Sequence, residues 1–202
     1  MRTRSIGWWV AALGVVATLG ISMPATVSAG VPLACSGSDT IFGTSADDDL
    51  RGTAGRDRIC GLGGDDVIRG LDGIDAIYGG PGDDTIYGDQ NHDFLHGGRG
   101  SDLLVPGEGG DIIRGDQGRD FSSVTSDGND EWRGGAGSDS LTDVNGTDII
   151  RGGRGNDRCL ATLDEHGGDS ISGGLGHDTW DADAADSVRS AEQQVRCSGQ
   201  ER

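Results

Sequence analysis

Aspartate returns every ninth residue along most of this chain, and few folds can accept that interval. Set on nine columns from Gly43, the sequence keeps one register without a gap through Ser123, with units such as Gly61-Leu62-Gly63-Gly64-Asp65-Asp66-Val67-Ile68-Arg69. Val124 inserts one residue. Four more units run from Thr125 to Leu160 and, after Ala161-Thr162-Leu163, two more from Asp164 to Asp181, fifteen in all. Column six is aspartate in every unit: Asp48, Asp57, Asp66, Asp75, Asp84, Asp93, Asp102, Asp111, Asp120, Asp130, Asp139, Asp148, Asp157, Asp169 and Asp178. Column four is glycine except at Ala46 and Asn91. Column eight is mostly large and apolar, as at Ile59, Ile68, Ile77, Ile86, Leu95, Leu104, Ile113, Trp132, Leu141, Ile150, Ile171 and Trp180, with Ser122 as a break.

One apolar position in nine cannot make an amphipathic helix, which needs apolar residues every three or four. Columns seven to nine read instead as a very short strand with column eight facing in. The glycine-rich columns one to four turn tightly, because glycine reaches positive φ without steric cost. Short strands and tight turns of fixed length make an all-β solenoid, in which stacked units bury what one unit cannot. Composition excludes the ordinary alternative. With 39 glycines among 202 residues and only 4% aromatics, too few large side chains remain for a conventional core. A disordered acidic tract would not hold both an aspartate column and an apolar column.

Stacked carboxylates repel one another unless a cation lies among them. Calcium takes about six to eight oxygen ligands at roughly 2.3–2.6 Å, which short aspartates and glycine-loop carbonyls can supply. The pattern resembles the RTX, or hemolysin-type calcium-binding, nonapeptide G-G-x-G-x-D-x-U-x, from Gly43 to Asp181. The resemblance implies a parallel β-roll with two units per turn, and calcium held between loops eighteen residues apart by the fifteen column-six aspartates and main-chain oxygens. One edge would carry Asp48, Asp66, Asp84, Asp102 and Asp120, and the other Asp57, Asp75, Asp93 and Asp111. With Asp130/Asp148 and Asp139/Asp157 in the second block, roughly nine Ca2+ sites are expected. Thr44 and Ala46 stand where the family has glycine, as do Pro106, Thr125, Asp143 and Asp164 at column one. The insertions are expected to bulge out of a roll that continues on both sides.

Residues 1–29 read as a secretory signal peptide, with Arg2 and Arg4 before an uncharged run from Ile6 to Ile21 and small residues at Val27-Ser28-Ala29. Cleavage before Gly30 removes two arginines and no acid, which takes the charge from −18 to −20. The expected organisation is a cap over 30–42, a roll over 43–181 and a cap or tail over 182–202. Export makes disulfides available to Cys35, Cys60, Cys159 and Cys197. Three pairings are possible; Cys35–Cys60 with Cys159–Cys197 would clip both ends, the latter drawing the tail over the roll.

Other chemistry has little support. His92 and His96 have the spacing of a zinc helix motif, but in a turn-strand unit they read as surface histidines. The sequon at Asn145-Gly146-Thr147 reads as a repeat loop. The segments outside the repeats are too short for a catalytic domain, so no enzyme is expected. The acidity argues against nucleic acid as a partner, and no membrane span is expected in the mature chain. Arg51, Arg69, Arg114, Arg133 and Arg151 share column nine, which points to one basic outer stripe or to pairing with nearby aspartates. The function read from the sequence is a secreted calcium-binding protein that folds on binding. The alternative is a surface or matrix adhesion module displaying the outer face of the roll, with an unnamed protein or glycan partner.

Overall fold

The computed structural model describes residues 35–37, 40–123, 128–143, 146–162, 168–181, 187–189 and 193–194. The segment 1–29 expected to be a signal peptide, Val124, Asn145 and Cys197 lie outside them, as does the side chain of Cys159, so the Cys159–Cys197 pairing does too. The described chain is all-β, and it holds no helix long and apolar enough to cross a membrane.

Successive strands alternate between two parallel nine-stranded sheets. One runs from Thr40–Phe42 through Ile112–Gln117 to Ser187–Arg189, the other from Asp49–Arg51 through Leu103–Glu108 to Gln193–Gln194. Each strand pairs with the strand two units on, as when Ile68 lies opposite Ile86 and Leu95 opposite Ile113. This is a β-roll with two units per turn.

Column eight forms the core. Ile59, Ile68, Ile77, Ile86, Leu95, Leu104, Ile113, Trp132, Leu141, Ile150 and Ile171 are buried in one cluster, with Ile41 and Leu50 packed against it. Ser122 is buried too, at the inward position just before Trp132, so the smallest member of the column is followed by the largest.

The strands are longer than the expected triplets. In the middle of the roll they run six residues, from column seven through column three, with the recurring pattern of a buried second and fourth position. The second inward position is column one. At Gly70 the unit's own aspartate folds back over this position, and a Cβ would stand 2.5 Å from Asp75 Oδ2 and 2.7 Å from the Gly88 carbonyl, although Pro106 takes the same buried position in its own strand. Glycine is a poor strand former by propensity, so its role here is close approach rather than turning.

Column four has a different reason for glycine. A Cβ on Gly73 would lie 2.6 Å from the carbonyl oxygen of Gly55, one turn earlier, and the same clash recurs up both edges. Ala46 escapes it as column four of the first unit, and Asn91 carries a side chain in this column at φ 75°.

Both insertions are absorbed. Trp132 pairs with Ile113 across the Val124 insertion, and Ile171 with Ile150 across the second. Part of the latter is a β-bulge in Arg158–Thr162: Arg158 faces Ser140 and Ala161 faces Thr142, so two residues oppose Leu141. Leu160, rather than Cys159, is consequently the partner of Trp180.

Cys35 is bonded to Cys60, and both are buried. Arg58 donates from its guanidinium to the Ser36 carbonyl at 2.8 Å, a second tie over the same strand. Closing this loop, with its ends 25 residues apart, contributes about 3.5 kcal/mol by the chain-entropy account. Reduction should therefore speed amide hydrogen exchange in residues 40–60 while leaving residues 94–117 protected; uniform protection would contradict a local role for the bond.

Among the described residues, five non-glycines have left-handed φ, including Leu71 at 81° and Asp89 at 78°, both in column two. That conformation costs about 1 kcal/mol relative to glycine. Asp89 also raises the cost of charge on Asp93. Asp89→Gly removes both effects and should stabilise the protein by about 1 kcal/mol in thermal or denaturant unfolding; a destabilised variant would refute the strain.

Candidate metal centre

The roll brings the fifteen column-six aspartates into two continuous ladders. One runs Asp48, Asp66, Asp84, Asp102, Asp120, Asp139, Asp157, Asp178. The other runs Asp57, Asp75, Asp93, Asp111, Asp130, Asp148, Asp169. Within each ladder the Oδ1 of one aspartate accepts the backbone N–H of the aspartate one turn earlier, at 2.7–3.0 Å. The nine pairs expected from the sequence become thirteen, because the ladders cross both insertions. Asp111 joins Asp130, Asp120 joins Asp139, Asp148 joins Asp169 and Asp157 joins Asp178.

From Asp66 to Asp178 these carboxylates are at most 4% exposed, whereas Asp48 and Asp57 are half-buried. Their second oxygen distinguishes this arrangement from a hydrogen-bonded spine. Oδ2 is buried without a hydrogen-bond partner in Asp66, Asp75, Asp84, Asp93, Asp102, Asp111, Asp120, Asp130, Asp139, Asp157 and Asp178. A buried, bare carboxylate oxygen is among the costliest groups a fold can hold.

The electrostatic consequence is large. Burial pushes the carboxyls of Asp93 and Asp102 from 3.8 up to about 7. It pushes those of Asp84, Asp111, Asp120, Asp130, Asp139 and Asp157 up to about 6. Asp66 and Asp75 are raised by the same cause. In each the N–H bond from the previous turn opposes the rise without cancelling it.

A hard divalent cation fits this donor set. The orphaned oxygens are anionic and hard, they recur once per loop, and glycine carbonyls stack in the same loops. Among the described residues no three acidic, imidazole or thiol side chains converge on one point. The remaining ligands would therefore be main-chain carbonyls.

The other sequence candidates take different partners. His92 Nδ1 accepts the Gly110 N–H at 2.8 Å, while His96 Nε2 lies 2.6 Å from Asp116 Oδ2. The five column-nine arginines do not form one stripe. Arg51 and Arg69 lie on one sheet, and Arg114, Arg133 and Arg151 on the other, because alternate units enter opposite sheets. Their contacts are not the column-six aspartates. Arg69 stacks on Tyr87 at 4.2 Å and Arg114 lies over Phe94 at 5.5 Å. Arg133 and Arg151 share Glu131, each at 2.6 Å, and the Arg133 bond holds that carboxyl below its ordinary value.

The family model of the RTX calcium-binding nonapeptide repeat matches this chain in four copies, at residues 36–68, 69–104, 105–121 and 124–159. No curated protein matches it. With well over half its residues in those copies, the chain belongs to the RTX calcium-binding repeat family.

Proposed function

We propose that this protein is an exported calcium-binding roll that is unfolded without calcium and folds on binding it, the column-six aspartates serving as the carboxylate ligands. The observation that carries this reading is the row of buried, unpartnered Oδ2 atoms. Calcium supplies the chemistry of a hard charge at those oxygens. The chain supplies short carboxylates locked by their ladder bonds and glycine carbonyls free of side-chain cover. Because ions bind the folded chain and not the unfolded one, their binding free energy becomes folding free energy. The leader at residues 1–29 would deliver the chain to a calcium-rich compartment, so folding follows export. Native mass spectrometry with calcium should show several ions released together by chelator, and the secreted protein should begin at Gly30. A metal-free folded protein at neutral pH would refute the binding role, and an intact Met1 on the cell-associated protein would refute export.

A second reading, display of the outer face to an adhesion partner, is favoured by its exposed apolar residues. Val67, Leu103 and Phe121 on one sheet and Ile112 and Ile149 on the other are 37–41% exposed in column seven. Pull-down from the cell surface with and without chelator separates the two readings: a partner retained only with calcium supports adhesion, and none supports a free secreted protein.

A further inference from the structure

The first two repeat units differ from the nine that follow at the atom that matters most. In them column two is threonine, Thr44 and Thr53, a residue found at column two in no other unit. The Thr44 N–H donates to Asp48 Oδ2 at 2.6 Å and its hydroxyl donates to the same oxygen at 2.9 Å. Thr53 does the same to Asp57 Oδ2, at 2.5 and 2.9 Å. Each hydroxyl also accepts an N–H two residues on, from Ala46 and Gly55, which fixes its direction. The device is built twice, once on each edge of the roll. In the next units, Leu62 and Leu71 occupy column two, and the Oδ2 atoms of Asp66 and Asp75 are bare.

We infer that Thr44 and Thr53 take the place of a metal ion at Asp48 and Asp57, the first aspartates of the two calcium ladders among the described residues. The inference rests on the calcium reading of the ladders and narrows it: metal binding begins at Asp66 and Asp75. The physical need is clear at Asp48, which lies in the first loop of its ladder. A cation there would lack the loop on one side that completes a set of about six to eight oxygens, and a hydroxyl plus an amide N–H satisfies the carboxylate without it. A threonine in an inner unit would instead displace an ion.

The test is calcium stoichiometry by native mass spectrometry on the full mature chain at neutral pH. Asp48→Asn and Asp57→Asn should bind the wild-type number of ions, whereas Asp75→Asn and Asp102→Asn should each bind at least one fewer. A lower count in Asp48→Asn or Asp57→Asn, with Asp102→Asn also lowered, overturns the inference and leaves the calcium reading standing. An unchanged count in Asp102→Asn and Asp75→Asn overturns both. The hydroxyl is tested separately with Thr44→Val and Thr53→Val. Amide exchange in residues 43–60 should quicken at least several-fold in calcium with the ion count unchanged; unaltered exchange counts against the role of the hydroxyls.

Discussion

Chelated at pH 7.5, this protein is expected to lose its β structure, and to regain part of it when the same metal-free sample is brought to about pH 4. Eight ladder aspartates have carboxyls pushed up to about 6 or 7. Holding each of them ionised in the metal-free roll costs on the order of 3 kcal/mol. Even half of the combined cost rivals the roughly 5–15 kcal/mol that holds an ordinary domain together. The folded carboxyls bind protons more tightly than the unfolded chain, whose aspartates titrate near 3.8. Metal-free stability is therefore fullest below about pH 4 and is lost as pH rises through 6 to 7. With these aspartates as the proposed ligands, calcium should reverse the direction, because protons and the ion would compete for the same oxygens, so apparent calcium affinity should fall on acidification. Far-UV circular dichroism of the chelated protein from pH 7.5 down to 4 checks the sign. A metal-free signal independent of pH would contradict the burial of these carboxylates.

The second large effect is that of one methyl group. Gly118→Ala should destabilise the calcium-loaded protein by about 3 kcal/mol or more. Gly118 has φ +137°, and a Cβ there falls on the carbonyl of Gly100. Neither atom can give way, since the Gly118 N–H is bonded to Ala136 O at 2.9 Å and the Gly100 N–H to Gln117 O at the same distance. Stability in a stacked array comes from neighbouring rungs, so a fault here also uncouples the two halves of the roll. Gly168 is the control, with nothing within 4 Å of its added Cβ. Denaturant unfolding in saturating calcium should leave Gly168→Ala close to wild type, and a Gly118→Ala protein equally stable would refute the close stacking of column four.

Much of this was legible because the fold is periodic. Column eight gave the core and column six the ladders, since each turn places the same column at the same height. What escaped the sequence reading has specific physical causes. Strands look three residues long when glycine counts as a turn former, yet Gly70 and Gly88 are buried strand residues chosen for lack of a Cβ. Counting ladder pairs in blocks lost four of them, because loops at a solenoid edge can hold extra residues while the strands keep register, as Ile150 opposite Ile171 shows. Starting the columns at Gly43 also hid an earlier unit: Thr40–Phe42 pairs with Arg58–Cys60, and Gly37, Asp39 and Ile41 fall in columns four, six and eight. The arginine stripe failed for want of one step, since two units per turn send Arg51 and Arg133 to opposite faces. Thr44 was read only as a departure from glycine and Thr53 was not singled out, because what they bond to depends on where Asp48 and Asp57 point.

The central claim is that calcium and the roll form together. Trp132 reports it directly, being the one tryptophan with a described side chain and 1% exposed in the core. In a calcium titration of the mature protein at neutral pH, its fluorescence should move from a solvent-exposed to a buried spectrum along one cooperative curve. The far-UV β signal should follow the same curve, with chelator reversing both and magnesium producing neither. A buried Trp132 and a complete β signal in chelator at neutral pH would contradict the account and leave the aspartate ladders without a cation to explain them.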